Sequence, residues 1–455
     1  MKSHDLTKGG LAKTLLTFTL PFMLANLLQA LYGLADTFVI GRFADSAALA
    51  AVTLGSTIMA MINVLITGFT LGGTVLIGQY LGAKREKDAK ETISTMFTLY
   101  SILAVGLTVV MLFLAAPILR LINTPAEAFD GALAYLRICF AGIFFTFGYN
   151  GLSAALRGMG DSKSPLLFIA IACTVNIVGD VILVGAFGMG PAGAAIATAS
   201  SQAISMFIGI AYLRKRNFTF DFHLKSFRII PEKARHILKL GVPMGLQESL
   251  VLLSFVIIAA IINNIGYIAV AAAGILDKIF MVAVIPASAF SGSIAAMVAQ
   301  NIGAGQTERA RKCLMIGACF GFVVSAVFFA IMKLFPDAMI RTFTRDSRVV
   351  AAACEYLVFY AYDFLLCGLV FPMIGFLNGC GRSRLTMNIN IISTFLIRVP
   401  VCYLANYLAG GHSLYHLGIG LPIATLIQIL MALFFILRGN MGGSAITDAR
   451  PVMEK

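Results

Sequence analysis

The chain has 455 residues, 59% of them hydrophobic and only 12% charged, with a net charge of +13. A soluble globular domain carries about 25% charged residues, so a water-soluble enzyme or binding module is excluded. The basic residues stand in short gaps between apolar blocks and form no continuous patch, which excludes nucleic acid as a partner.

The apolar blocks predict twelve membrane-spanning helices, over 15–41, 47–82, 93–116, 127–157, 165–186, 192–213, 241–266, 268–303, 313–335, 349–379, 387–408 and 417–438. The runs are continuous and do not alternate, so a β-barrel is excluded. The first block is too long for the apolar core of a signal peptide, and direct insertion through it is expected. It holds Pro21, and Asn26, Gln29, Tyr32 and Asp36 fall along one side of a helix. A carboxylate in an apolar span costs about 2.5–3.5 kcal/mol on insertion scales, and its default reading is functional.

Lys2, Lys8 and Lys13 precede span 1, Lys84–Lys90 follow span 2, and Arg157 and Lys163 follow span 4. The gap after span 6 carries Arg214, Lys215, Arg216, Lys225, Arg228, Lys233, Arg235 and Lys239. Arg309, Arg311 and Lys312, then Arg382 and Arg384, then Arg438, Arg450 and Lys455 continue the pattern. With twelve spans all these gaps lie on one side, which places both termini in the cytoplasm. The gap at Lys84–Lys90 is read as a solvated loop that sets this orientation.

The chain repeats itself at a shift of 221 residues. Gln79, Gly82 and Ala83 meet Gln300, Gly303 and Ala304, and Leu156, Gly158, Gly160 and Ser162 meet Leu377, Gly379, Gly381 and Ser383. With six more residues of shift, Gly193, Ala197 and Thr198 meet Gly420, Ala424 and Thr425. The expected fold is therefore an all-α polytopic membrane protein with two six-helix parallel repeats, related by a pseudo-two-fold axis along the membrane normal. The expected division is a first lobe over 1–213, a basic cytoplasmic linker over 214–240, a second lobe over 241–438 and a tail over 439–455. At the same shift Asp36 meets Ile257, so the acid belongs to one repeat only.

Several other motifs carry no chemistry. Gly188-x-Gly190-x-x-Gly193 matches a dinucleotide loop in letters, but it joins two membrane helices and lacks a βαβ setting. No phosphate-binding loop of Walker type is present, and Asn217-Phe218-Thr219 is a glycosylation sequon on the cytoplasmic side. The eight cysteines form no CxxC pair and are read as small core residues. No His/Asp or Cys/His set converges at an interface, so an enzyme is not expected.

The motifs that remain are Pro21 with Asp36-Thr37 in span 1 and Q-x-x-G-A after spans 2 and 8. L-R-G-x-G-D-S and L-N-G-C-G-R-S follow spans 4 and 10, and G-x-G-x-x-G-A-A-x-A-T enters span 6. Together these resemble the multidrug and toxic compound extrusion (MATE) family over nearly the whole chain, and the first-lobe polar set resembles its DinF-like branch. The resemblance implies an inner-membrane antiporter, expected as a monomer, that exchanges small amphipathic organic cations for Na⁺ or H⁺ and needs no other cofactor. It implies a cation site at Asp36, Asn176, Asp180 and Thr198, with Na⁺ as a candidate ligand. Asn176 and Asp180 are four residues apart on one helix face, and hard cations prefer such oxygen donors. Two close carboxylates could instead share a proton.

The substrate cavity is assigned Gln29, Asn150, Gln202, Glu248, Tyr356, Tyr360 and Asp363. Glu248 and Asp363 match the acids of the NorM-like branch, although Phe359 stands where that branch often has Tyr. Tyr356, Tyr360 and Asp363 share a helix face suited to a planar cation. Asp277 and Lys278 lie in span 8, and Lys278 or Arg398 could neutralise Glu248 or Asp363. The alternative substrate class is a lipid-linked saccharide, which the excess of intramembrane acids disfavours.

Overall fold

The computed structural model describes residues 5–215, 218, 220, 222–439 and 446. Lys2, Arg216, Arg450 and Lys455, the sequon positions Asn217 and Thr219, and most of the 439–455 tail lie outside them. Every regular element among the described residues is helical. Ten helices are long and apolar enough to cross a membrane, and two bent pairs bring the number to twelve.

In chain order the spans are α1 (Leu11–Phe43), α2 (Ser46–Gly82), α3 (Glu86–Leu121), α4 (Ala126–Ala141 with Ile143–Gly158), α5 (Lys163–Ala186) and α6 (Gly190–Lys215). They continue as α7 (Pro231–Asn263), α8 (Tyr267–Ala283 with Ile285–Gly303), α9 (Thr307–Leu334), α10 (Ser347–Gly379), α11 (Ser383–Leu408) and α12 (Leu414–Arg438). Each contains or closely overlaps one of the predicted blocks. Large apolar side chains such as Phe113, Leu121, Leu396 and Leu437 point outward, as a lipid environment requires.

Pro286, inside its predicted span, announces one of the two bends, and nothing in the sequence announces the other. α4 turns by 47° at Gly142, where an added Cβ would come within 2.9 Å of Ala199 on α6. α8 turns by 41° before Pro286, which stands in the first turn of the second segment, where a missing N–H is harmless. Pro21 and Pro243 sit inside unbroken helices. Two spans change winding: α5 widens to a π-helix over Val181–Ala186, and α11 over Ile392–Arg398. Such wide turns mark functional positions in many proteins.

The chain forms two compact units. One takes Leu20–Gly241, and the other Leu6–Thr19 with the chain from Val242 onward. The repeat is visible inside each. In the first, Gly158 packs so closely that an added Cβ would lie 2.8 Å from the Thr74 carbonyl oxygen and 3.0 Å from Ile77. In the second, Gly379 stands in the same relation to the Ala295 oxygen, at 2.7 Å, and to Val298, at 2.8 Å. All three pairs differ by 221. The turn that follows is also shared, with Gly160 and Gly381 at φ +83° and +79° and a backbone bond closing each helix end, Asp161 to Leu156 and Arg382 to Leu377.

A second shared feature lies at the start of each repeat. In the second unit, Leu6 donates its N–H to Gln300 Oε1 at 3.0 Å, and Arg309 holds the Lys8 and Gly9 carbonyls at 2.9 Å. In the first unit, the segment entering α7 is held by Lys233, which donates to the Tyr80 hydroxyl at 2.8 Å and to Asp88. Asp88 and Arg309 also differ by 221. Ser94 and Thr95 bond the backbone of Ser226 and Ile230, and Phe97 packs against Phe220 and Phe222. The stretch read as a linker is thus partly docked structure. Lys84, Arg85, Lys87 and Lys90 are exposed.

Because Gly158 and Gly379 carry the same contact in both repeats, Gly158→Val and Gly379→Val should each destabilise the protein by about 1–3 kcal/mol, the usual cost of overpacking. Thermal unfolding of the detergent-purified protein reads this. A wild-type midpoint for either variant would contradict the shared packing.

Candidate functional site

Three helices of the first unit bring the polar set together. α1 supplies Asp36, α5 supplies Asn176 and Asp180 just before its winding changes, and α6 supplies Thr198. Asp36 is 6% exposed, Asn176 and Asp180 are fully buried, and Thr198 is half-buried. The Asp36 carboxyl lies near that of Asp180, the amide of Asn176 and the hydroxyl of Thr198, without a hydrogen bond closing between them.

These atoms are acceptor-rich and under-satisfied. Asp36 Oδ1, both Asp180 oxygens, the Asn176 amide and the Thr198 hydroxyl have no hydrogen-bond partner. Buried polar atoms are otherwise nearly always paired. Two carboxyl groups this close in a low dielectric need a shared proton or a metal cation between them. Four oxygen donors from carboxylate, amide and hydroxyl groups fit a hard monovalent cation. The residues present therefore suit either Na⁺ or H⁺.

Sequence reasoning missed part of this shell. The Tyr32 hydroxyl faces Thr198 and Asp36, while Tyr135 and Cys139 of α4 lie beside Asp36. Tyr32 was legible, since it belongs to the span 1 stripe; Tyr135 and Cys139 read as ordinary apolar-span residues. Of the proposed cavity positions in this unit, Gln29 is exposed and Asn150 donates to its own helix at Thr146, at 2.9 Å. Gln202 stands one turn beyond Thr198 with its amide oxygen unpartnered. A recess of about 410 Å³ lined in part by Asp45, Glu127 and Gly190 takes in none of these residues.

The second unit arranges its polar residues differently. Tyr356 and Tyr360 are 3% exposed and stack at 5.3 Å within an apolar core. The Tyr360 hydroxyl donates to Asp277 at 3.1 Å. Asp363 is equally buried, accepts from the Thr425 hydroxyl and faces Arg398. The face these three share is thus turned into the unit's own packing. Arg398 is the cation whose charge acts on Asp363, without a salt bridge to it, whereas Lys278 is exposed. Glu248 is exposed and accepts a 3.4 Å bond from Gln247. Thr425, the repeat counterpart of Thr198, thus bonds a carboxylate, whereas the Thr198 hydroxyl is unpartnered.

Removing the Thr425 hydroxyl with Thr425→Val should lower stability by about 1–2 kcal/mol, the range for a polar contact between membrane helices. A drop in the unfolding midpoint of the purified protein is expected; an unchanged midpoint would mean that Asp363 does not depend on this bond.

The MatE family model matches the chain twice, over residues 21–182 and 243–404. The two matches begin at Pro21 and Pro243, an offset of 243 − 21 = 222 residues. "Probable multidrug resistance protein YpnP" of Bacillus subtilis (strain 168) is 32% identical over 425 residues, covering 92% of this chain and 94% of its own. An "FAD transporter" of Shewanella oneidensis is 25% identical over 438 residues, 93% of each chain. Among solved structures, an outward-facing multidrug resistance MATE family transporter of the MOP superfamily aligns with a TM-score of 0.89 at 23% identity, over 96% of this chain and 98% of its own. Members of this family are transporters, not enzymes. The repeated match and the full-length relatives establish that the chain belongs to the MatE family of multi-pass membrane transporters.

Proposed function

We propose that the protein is a secondary active multidrug exporter that exchanges amphipathic, cationic organic compounds for Na⁺ or H⁺ by alternating access. The observation that carries this reading is the buried, unpartnered set of Asp36, Asn176, Asp180 and Thr198 in the first unit. The relatives named as multidrug proteins support the substrate class, and the positive-inside pattern supports an inner-membrane protein with both termini in the cytoplasm. In this reading it works as a monomer.

In this reading the coupling cation is cargo. It enters the Asp36–Asp180 site from outside, where the carboxylates supply charge and Asn176 and Thr198 supply neutral oxygens. Loading removes the repulsion between the two carboxylates and so favours one state of the transporter over the other. A cation shifts such an equilibrium only by its difference in affinity for the two states. Release of the cation inside restores the charge. Drug binding and cation binding exclude one another because both draw on the same acidic field.

Asp36→Asn is expected to reduce drug resistance of expressing cells to the empty-vector level, with membrane expression unchanged. Full resistance in that variant would remove Asp36 from the mechanism.

A further inference from the structure

The second unit carries a charged group that the exporter reading does not use. Arg398 ends the π segment of α11 and is 7% exposed. Its Nε and Nη1 have no hydrogen-bond partner. Its guanidinium lies 5.3 Å from the centre of the Phe255 ring. Asp363 is the carboxylate that faces it, and Asp363 already accepts from Thr425. A guanidinium inside a membrane span is costly and is retained for a function by default. Its planar fork matches a carboxylate or a phosphate with two parallel bonds, and an aromatic face beneath it favours the same orientation.

The repeat sharpens the contrast. At the 221-residue shift, Asp36, Asn176 and Asp180 meet Ile257, Ile397 and Val401. The second unit thus lacks both carboxylates of the cation site, and the buried charge one residue beyond the Asn176 counterpart is a guanidinium.

We propose that Arg398 binds the anionic group, carboxylate or phosphate, of transported compounds, so that the protein selects cargo bearing a negative as well as a positive group. Asp363 acts as the internal counter-ion that Arg398 keeps until such a group arrives. The proposal rests on the exporter reading for its physiological meaning, but it concerns binding and is measurable without transport.

The test is equilibrium binding to the full chain in detergent, followed by fluorescence. The probes are a zwitterionic fluoroquinolone, FAD, and ethidium as a cation with no acidic group. In Arg398→Gln the preference for the fluoroquinolone over ethidium should fall about tenfold or more, the cost of a lost charge-assisted hydrogen bond. Arg398→Lys should restore part of it. A larger loss for FAD than for the fluoroquinolone identifies phosphate as the better ligand, and the reverse identifies carboxylate. Should Arg398→Gln misfold with Asp363 left uncompensated, Arg398→Gln with Asp363→Asn removes both charges and is read in the same way. A wild-type preference ratio in the folded variant, or equal losses for all three probes, overturns the proposal. Failure of wild-type vesicles to move ethidium would instead overturn the exporter reading and leave the binding result standing.

Discussion

A carboxylate inside an apolar helical bundle must be neutralised, and two side by side must be neutralised together. That constraint governs the first unit. Asp36 and Asp180 come from different helices and are both buried, with unpartnered polar atoms around them. Asn176 and Thr198 complete the shell without adding charge. The proposed coupling cation, Na⁺ or H⁺, is what would relieve this charge. Two of the helices that supply the shell, α5 and α6, pack closely, since a Cβ added at Gly179 would lie 3.0 Å from Ala197.

The two repeats share a frame and divide the chemistry. Gly158 and Gly379, the turns at Gly160 and Gly381, and the docking positions Asp88 and Arg309 are common to both. The polar interiors are not. The first unit gathers acids, whereas the second gathers Arg398, Asp363 and Thr425 with an aromatic stack. Duplication provides two similar frames, and divergence at a few positions gives their interiors different polar groups. Thr198 and Thr425 show the process: Thr425 donates to Asp363 of α10, whereas the Thr198 hydroxyl lies near Asp36 of α1 and has no hydrogen-bond partner.

Much of this was legible in the sequence. Composition located all twelve spans, and the 221-residue shift exposed the duplication, because hydropathy and repeated small residues are local signals. Asp36 stood out by its polarity within an apolar helix, whereas its grouping with Asn176, Asp180 and Thr198 came from the resemblance to the MATE family. The bend at Gly142 and the π segments at Val181–Ala186 and Ile392–Arg398 were not, because an apolar run has the same composition in either winding. Nor was the inward turn of Tyr356 and Tyr360: a helical stripe fixes which residues share a face, but tertiary packing decides what that face meets. Tyr135 and Cys139 were hidden for the same reason, being unremarkable until α4 is set beside α1.

The central claim is that cation binding at the Asp36–Asp180 pair drives export. Ethidium transport in everted membrane vesicles, with a Na⁺ gradient and a pH gradient imposed separately, tests it most directly. Wild-type protein should accumulate ethidium under at least one of the two gradients, and Asp180→Asn should abolish that response. Accumulation by wild-type protein with both gradients collapsed, or an undiminished gradient response in Asp180→Asn, would contradict the account.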